Sequence, residues 1–151
     1  MESYTTNKIN LYFKEVAFSE YIDLDINAIR LCVNLIFKCN KKFTDSYRFI
    51  VDTGAPLSLV PPYIWKDCDT RIIRPSQITG VVPLPECSLP VTLAEIVCKL
   101  VDQNSESREF KIKAHLAHTD EVPMIVGFKD LLDCMKLEMD YKNKSACLII
   151  S

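Results

Sequence analysis

Residues 49–60 read Phe-Ile-Val-Asp-Thr-Gly-Ala-Pro-Leu-Ser-Leu-Val. Apolar runs lie on both sides of one acid, and each reads as a short buried strand. Asp52-Thr53-Gly54 between them reads as a tight turn. Asp52 is therefore delivered into dry surroundings. A lone carboxylate there is costly and takes up a proton. Beside a second carboxylate it has a use, because the two share one proton. One then acts as general base on a water while the other protonates a peptide carbonyl. Gly54 gives the turn room and turns its backbone N–H to the carboxylate, and Thr53 offers a hydroxyl able to lock the loop.

The rest of the chain supplies strands to hold this turn. Only three glycines occur in 151 residues, Gly54, Gly80 and Gly127, and they divide the chain. Over 21–38 the pattern has period two. Ile22, Leu24 and Ile26 alternate with acids and Asn27, and Leu31, Val33, Leu35 and Phe37 share one face. Residues 41–46 read as a hairpin loop. A helical turn is expected at 63–67, with Tyr63 and Trp65 as packing residues. An extended hairpin is expected over 77–90, its prolines confined to the turn or edge. Strands follow at 91–101, 110–118 and 124–126. Residues 130–136, with Leu131, Leu132 and Met135 on one side, read as a helix. Residues 137–150 read as a closing hairpin. The sum is an all-β domain with one short helix near the C-terminus, closed as a sandwich or small barrel.

Three segments together resemble the retropepsin-like aspartic protease family. Asp52-Thr53-Gly54-Ala55 looks like its active-site loop. Met124-Ile125-Val126-Gly127, running into Asp130-Leu131-Leu132, resembles its second element, an apolar strand ending in Gly127 before a helix. Leu137 to Tyr141 and the strand to Ile150 look like its closing hairpin. The resemblance spans residues 22 to 151 and implies a retropepsin-like acid protease barrel over 21–151, preceded by an N-terminal extension, 1–20. It implies an aspartic endopeptidase with catalytic Asp52, supported by Thr53, Gly54 and Ala55, acting on peptide or protein substrates without a cofactor. One Asp-Thr-Gly in a chain of this length implies a homodimer with Asp52 on the two-fold axis. Terminal strands would interleave there, and the apolar tail Leu148-Ile149-Ile150 is the candidate. A flap is implied over 78–90, with Ile78, Thr79, Gly80, Val81 and Val82 against the bound peptide, which would lie extended like an added strand. Three departures from the family stand out. Pro56 removes a backbone donor, the flap is rich in proline, and Phe128 stands where retroviral enzymes typically carry Arg.

A second reading keeps this fold without catalysis, as a peptide-binding or dimerisation module. A third, a β-barrel unrelated to proteases, requires the Asp52 and Gly127 segments to lie apart. Composition excludes other classes. The net charge of −2 offers no basic stripe for nucleic acid, and no apolar stretch has the length of a membrane span. Residues 1–10 lack the apolar core of a signal peptide. The seven cysteines have irregular spacing and no Cys-x-x-Cys pair, which argues against a disulfide framework or a zinc site. Cys32 and Cys98 read as buried hydrophobes, and Cys87 lies near the flap tip. Mostly free thiols favour a reducing compartment, hence the cytoplasm. His115 and His118 face opposite sides of a strand and so share no metal.

Overall fold

The computed structural model describes residues 4–79 and 88–151. In chain order the strands are β1 (Tyr4–Thr5), β2 (Lys8–Asn10), β3 (Tyr12–Ala17), β4 (Asn27–Cys39), β5 (Lys42–Phe43), β6 (Tyr47–Val51), β7 (Ser58–Val60), β8 (Thr70–Ile78), β9 (Leu89–Val101), β10 (Ser105–Glu106), β11 (Phe110–Ala117), β12 (Ile125–Val126), β13 (Met135–Asp140) and β14 (Ser145–Ile150). One short helix, α1 (Pro62–Trp65), and two 3-10 segments, Ser19–Leu24 and Leu132–Cys134, complete the elements. Six strands close a ring. β9 pairs with β11, β11 with β7, β7 with β12, β12 with β6, β6 with β4, and β4 pairs back onto β9. Closure into a barrel leaves no open edge within the ring.

Alternation along the strands fills the interior. Val33, Leu35 and Phe37 of β4 meet Phe49 of β6, Val60 of β7, and Ile96, Cys98 and Leu100 of β9. All are buried, and the Phe37 and Phe49 rings pack with centroids 5.6 Å apart. Cys32 and Cys98 are buried small hydrophobes, as their neighbours imply. The second sheet, β13-β14-β2, adds Ile9, Leu148 and Ile150 to the same core. α1 is fixed by the Trp65 indole N–H, which donates to the Ala117 carbonyl at 2.9 Å. Among the described residues no helix is long and apolar enough to cross a membrane.

Three local expectations change. The alternation at Ile22, Leu24 and Ile26 is not a strand. β3 and β4 pair from Tyr12↔Cys32 to Ala17↔Asn27, so 18–26 must connect them. It does so through the 3-10 segment, with Asp25 at φ 54°. Leu24 and Ile26 are exposed. The helix expected over 130–136 is shortened to Leu132–Cys134. Asp130 has φ 65°, outside the right-handed helical region, and Met135 is already paired with Ile150. The tail Leu148-Ile149-Ile150 is not a free edge, because β14 lies between β13 and β2 of its own protomer.

Asp102 ties the two sheets together. Its Oδ1 accepts the N–H groups of Asn104 and Ser105 and the Ser105 hydroxyl, at 3.0, 2.9 and 2.7 Å. Its Oδ2 accepts the Asn10 N–H of β2 at 3.0 Å. Burial alone would raise its pKa. The hydrogen bonds from Asn10, Ser105 and Asn104 outweigh that and hold the carboxyl below its usual value. A carboxyl depressed in the folded state stabilises above its unfolded pKa, near 4, and loses that contribution as pH falls through the folded value. Asp102→Ala is expected to cost about 1–3 kcal/mol at pH 7. In urea titrations the gap between variant and wild type should narrow below roughly pH 4. A gap constant from pH 7 to 3 would show that the ionised form is not what the turn requires.

Candidate active site

The Asp52 loop is held almost entirely by backbone. β12 is inserted between β6 and β7, parallel to the first (Ile125↔Ile50, Val126↔Val51) and antiparallel to the second (Ile125↔Leu59). The Ile50 N–H donates to the Met124 carbonyl at 2.8 Å, and the Asp52 N–H to the Val126 carbonyl at 3.0 Å. These two bonds fix where β6 ends. The chain then turns, with the Ala55 N–H donating to the Asp52 carbonyl at 3.2 Å. The Gly54 N–H donates to Asp52 Oδ1 at 2.9 Å. Oδ2 of Asp52 accepts no hydrogen bond from the described residues.

Beyond the turn, residues 55–57 run against 127–129. The Phe128 N–H donates to the Ala55 carbonyl and the Lys129 N–H to the Pro56 carbonyl, both at 2.9 Å. Pro56 lacks a donor, but this crossing uses its acceptor. The approach is close enough that a Cβ on Gly127 would lie 2.5 Å from the Leu57 carbonyl carbon and oxygen. The Gly127 N–H donates to the buried hydroxyl of Ser58 at 3.0 Å. The Asp52 and Gly127 segments are thus in direct contact, against the separation that the unrelated-barrel reading requires.

Asp52 lies between two depressions. The larger is a cleft of about 730 Å³ that includes Asp52, Gly54, Leu57, Leu59, Ile125 and the end of β8 at Gln77, Ile78 and Thr79. The smaller, about 300 Å³, holds Ile29, Leu31, Thr53, Leu137, Met139 and Tyr141, again with Asp52. Of the expected site residues, Asp52, Gly54, Ala55, Ile78 and Thr79 meet at the cleft. Thr53 is exposed on the other side, and its hydroxyl has no hydrogen-bond partner among the described residues. β8 and β9 pair out to Ile78↔Leu89 as the arms of a hairpin. Gly80, Val81, Val82 and Cys87 lie outside the described residues.

Sequence reasoning missed three residues here. Arg30 of β4 and His115 of β11 line the cleft. Both come from strands remote in sequence from Asp52, and nothing local marks them. Burial lowers the pKa of the His115 imidazole, so at neutral pH it is an uncharged donor and acceptor. Its neighbour His118 instead pairs with the Thr92 hydroxyl at 2.8 Å. The third is Ser58, and its signal was present as one small polar residue inside the apolar run Leu57–Val60.

No family model and no curated protein matches the sequence. Among solved structures, the chain is similar to the crystal structure of a retropepsin-like aspartic protease from Rickettsia conorii. The TM-score is 0.51 at 16% identity, and the match covers 93% of this chain and 89% of that chain. The ring of six strands, the inserted β12 and this likeness agree, and the chain has a retropepsin-like fold.

Proposed function

We propose that the protein is an aspartic endopeptidase whose site forms when two copies bring their Asp52 side chains together. One observation carries this reading. Asp52 is clamped by backbone at the edge of a peptide-sized cleft, with one oxygen bonded to Gly54 and the other without a hydrogen-bond partner among the described residues. Two such carboxylates across a two-fold axis share a proton. One activates a water, and the other protonates the scissile carbonyl. A peptide lying extended along the end of β8 passes over that pair.

Exposed apolar residues support one place for the partner. β14 is covered on both edges, so the tail is a poor interface by itself. Ile29, Met139 and Tyr141 are large exposed apolar residues around the groove that also holds Thr53 and Asp52. An isologous contact there places both Asp52 loops on the axis. Met139→Glu is expected to weaken the dimer about 10³-fold, since a carboxylate would be buried without a partner. Sedimentation should then show monomer where the wild type is dimer, with cleavage lost in parallel. A Met139→Glu protein that remains a dimer would move the interface elsewhere.

The function is tested with an unbiased peptide library from pH 3 to 8 and with a transition-state-type aspartic protease inhibitor. The expected result is endoproteolysis and binding of one inhibitor per two chains. A folded dimer that neither cleaves nor binds would be the catalytically silent peptide-binding or dimerisation module.

A further inference from the structure

Two thiols far from each other in sequence meet beside the barrel. Cys39 ends β4, and Cys68 lies just beyond α1. Their Sγ atoms are 2.8 Å apart, less than an ångström beyond the roughly 2.05 Å of a disulfide bond. The backbone enforces this approach. The Asp69 N–H donates to the Lys38 carbonyl at 3.1 Å, and the Asn40 N–H donates to Asp69 Oδ1 at 3.1 Å. The residues flanking each cysteine are therefore zipped to those flanking the other. On the α1 side, the Cys68 N–H donates to the Trp65 carbonyl at 3.0 Å and its thiol to the Ile64 carbonyl at 3.1 Å.

Both side chains are half-buried and within reach of a small oxidant. Cys32 and Cys98 are enclosed in the core, and Cys134 bonds the Asp133 carboxylate instead of a thiol. Among the described residues no other pair of sulfurs is in contact, and no group of three or more metal-capable side chains converges here or elsewhere. Two thiolates without further ligands do not hold a zinc ion.

We propose that Cys39 and Cys68 form a reversible disulfide, a modification site that closes residues 39–68 into a covalent loop around the segment carrying Asp52. The oxidant is a hydroperoxide. The Cys39 sulfur attacks the peroxide oxygen, giving a sulfenic acid and releasing an alcohol, or water from hydrogen peroxide. The Cys68 sulfur then displaces the hydroxyl, which leaves as water, and the S–S bond forms. The two thiols lose two electrons and two protons, and the peroxide O–O bond is reduced. Cys39 is assigned the first attack because the Cys68 thiol is engaged in donating to the Ile64 carbonyl. Burial raises the pKa of the Cys68 thiol, as do the hydrogen bond with Cys39 and the nearby Asp67 and Asp69 carboxylates. A dithiol reductant reverses the reaction.

The enclosed loop contains β5, β6, the Asp52 turn, β7 and α1. Cross-linking its ends limits the unfolded chain, so oxidation is expected to raise the Tm by about 5–10 °C. The test uses the full chain, fully reduced and then treated with an equimolar amount of hydrogen peroxide. After alkylation in denaturant, the expected mass shows two fewer blocked thiols. Peptide mapping should join the segments containing Cys39 and Cys68, and dithiothreitol should return the Tm to its reduced value. Cys39→Ser and Cys68→Ser should each abolish both changes, while Cys87→Ser leaves them intact. Should serine unfold the chain, alanine at the same positions serves. Over-oxidation of Cys39 to a sulfinic acid, a cross-link to a different cysteine, or an unchanged Tm would overturn the proposal. None of these measurements needs peptidase activity, so they stand whether or not the chain cleaves peptides.

Discussion

Replacing Asp52 by Asn is expected to abolish peptide cleavage while leaving the fold intact. Asparagine keeps a side-chain oxygen to accept the Gly54 N–H, the bond that now holds Asp52 Oδ1 at 2.9 Å. The backbone bonds of Asp52 and Ala55 do not involve the side chain. The turn therefore has no reason to open. On the proposed dimer the chemistry would be lost twice over, because one substitution would remove both carboxylates of the pair. General acid and general base roles are each worth roughly 10²–10⁴-fold, so kcat should fall beyond about 10⁴-fold. Mixed dimers sharpen the test. Wild-type and Asp52→Asn chains refolded together in equal amounts assort at random. If only a dimer with two carboxylates works, activity should fall to about a quarter of that of the same total amount of wild type. Independent protomers would keep about half, and that result would exclude a shared site.

The legible parts of this molecule were those whose signal is local. The acid between two apolar runs, the Ile125-Val126-Gly127 strand and the alternation of Leu31 to Phe37 each state their environment in a few consecutive residues. The structure brings the first two into contact through the Ala55 and Pro56 carbonyls. Period two was misleading at Ile22 to Ile26, because alternation says which residues share a face and not whether a partner strand exists. There the pairing of β3 with β4 had already used the neighbouring chain. The tail was misplaced for the opposite reason. Leu148 and Ile150 are apolar enough for an interface, but β2, more than 130 residues earlier in the chain, covers them, and nothing near Leu148 announces it. Arg30 and His115 reach the cleft because β4 and β11 are both strands of the closed ring. That is a property of topology, which residue patterns within a strand do not encode.

Gly127→Ala is expected to destabilise the protein more than any other single methyl addition near the site. The new Cβ would lie 2.5 Å from the carbonyl carbon and oxygen of Leu57 and 2.8 Å from the Ala55 oxygen. All three are backbone atoms, so no side chain can rotate away, and one of two chain segments must move. Overpacking of a well-fitted interior costs typically 1–3 kcal/mol, and a clash with backbone belongs at or above the top of that range. At roughly 2–4 °C per kcal/mol in a domain of this size, the Tm should fall by about 10 °C. Ser58→Ala provides the contrast. It leaves the buried Gly127 N–H without its acceptor, at a cost of about 1–3 kcal/mol, but pushes nothing apart. The two variants should therefore differ in cleavage at a temperature where both are folded. Moving 127–129 away from 55–57 shifts the loop that aims Asp52, and small misplacements of a reacting group are costly in rate. Gly127→Ala should thus lose activity well beyond its loss of stability, and Ser58→Ala should not. Equal activity in the two folded variants would mean that the crossing supports the barrel without positioning the carboxylate.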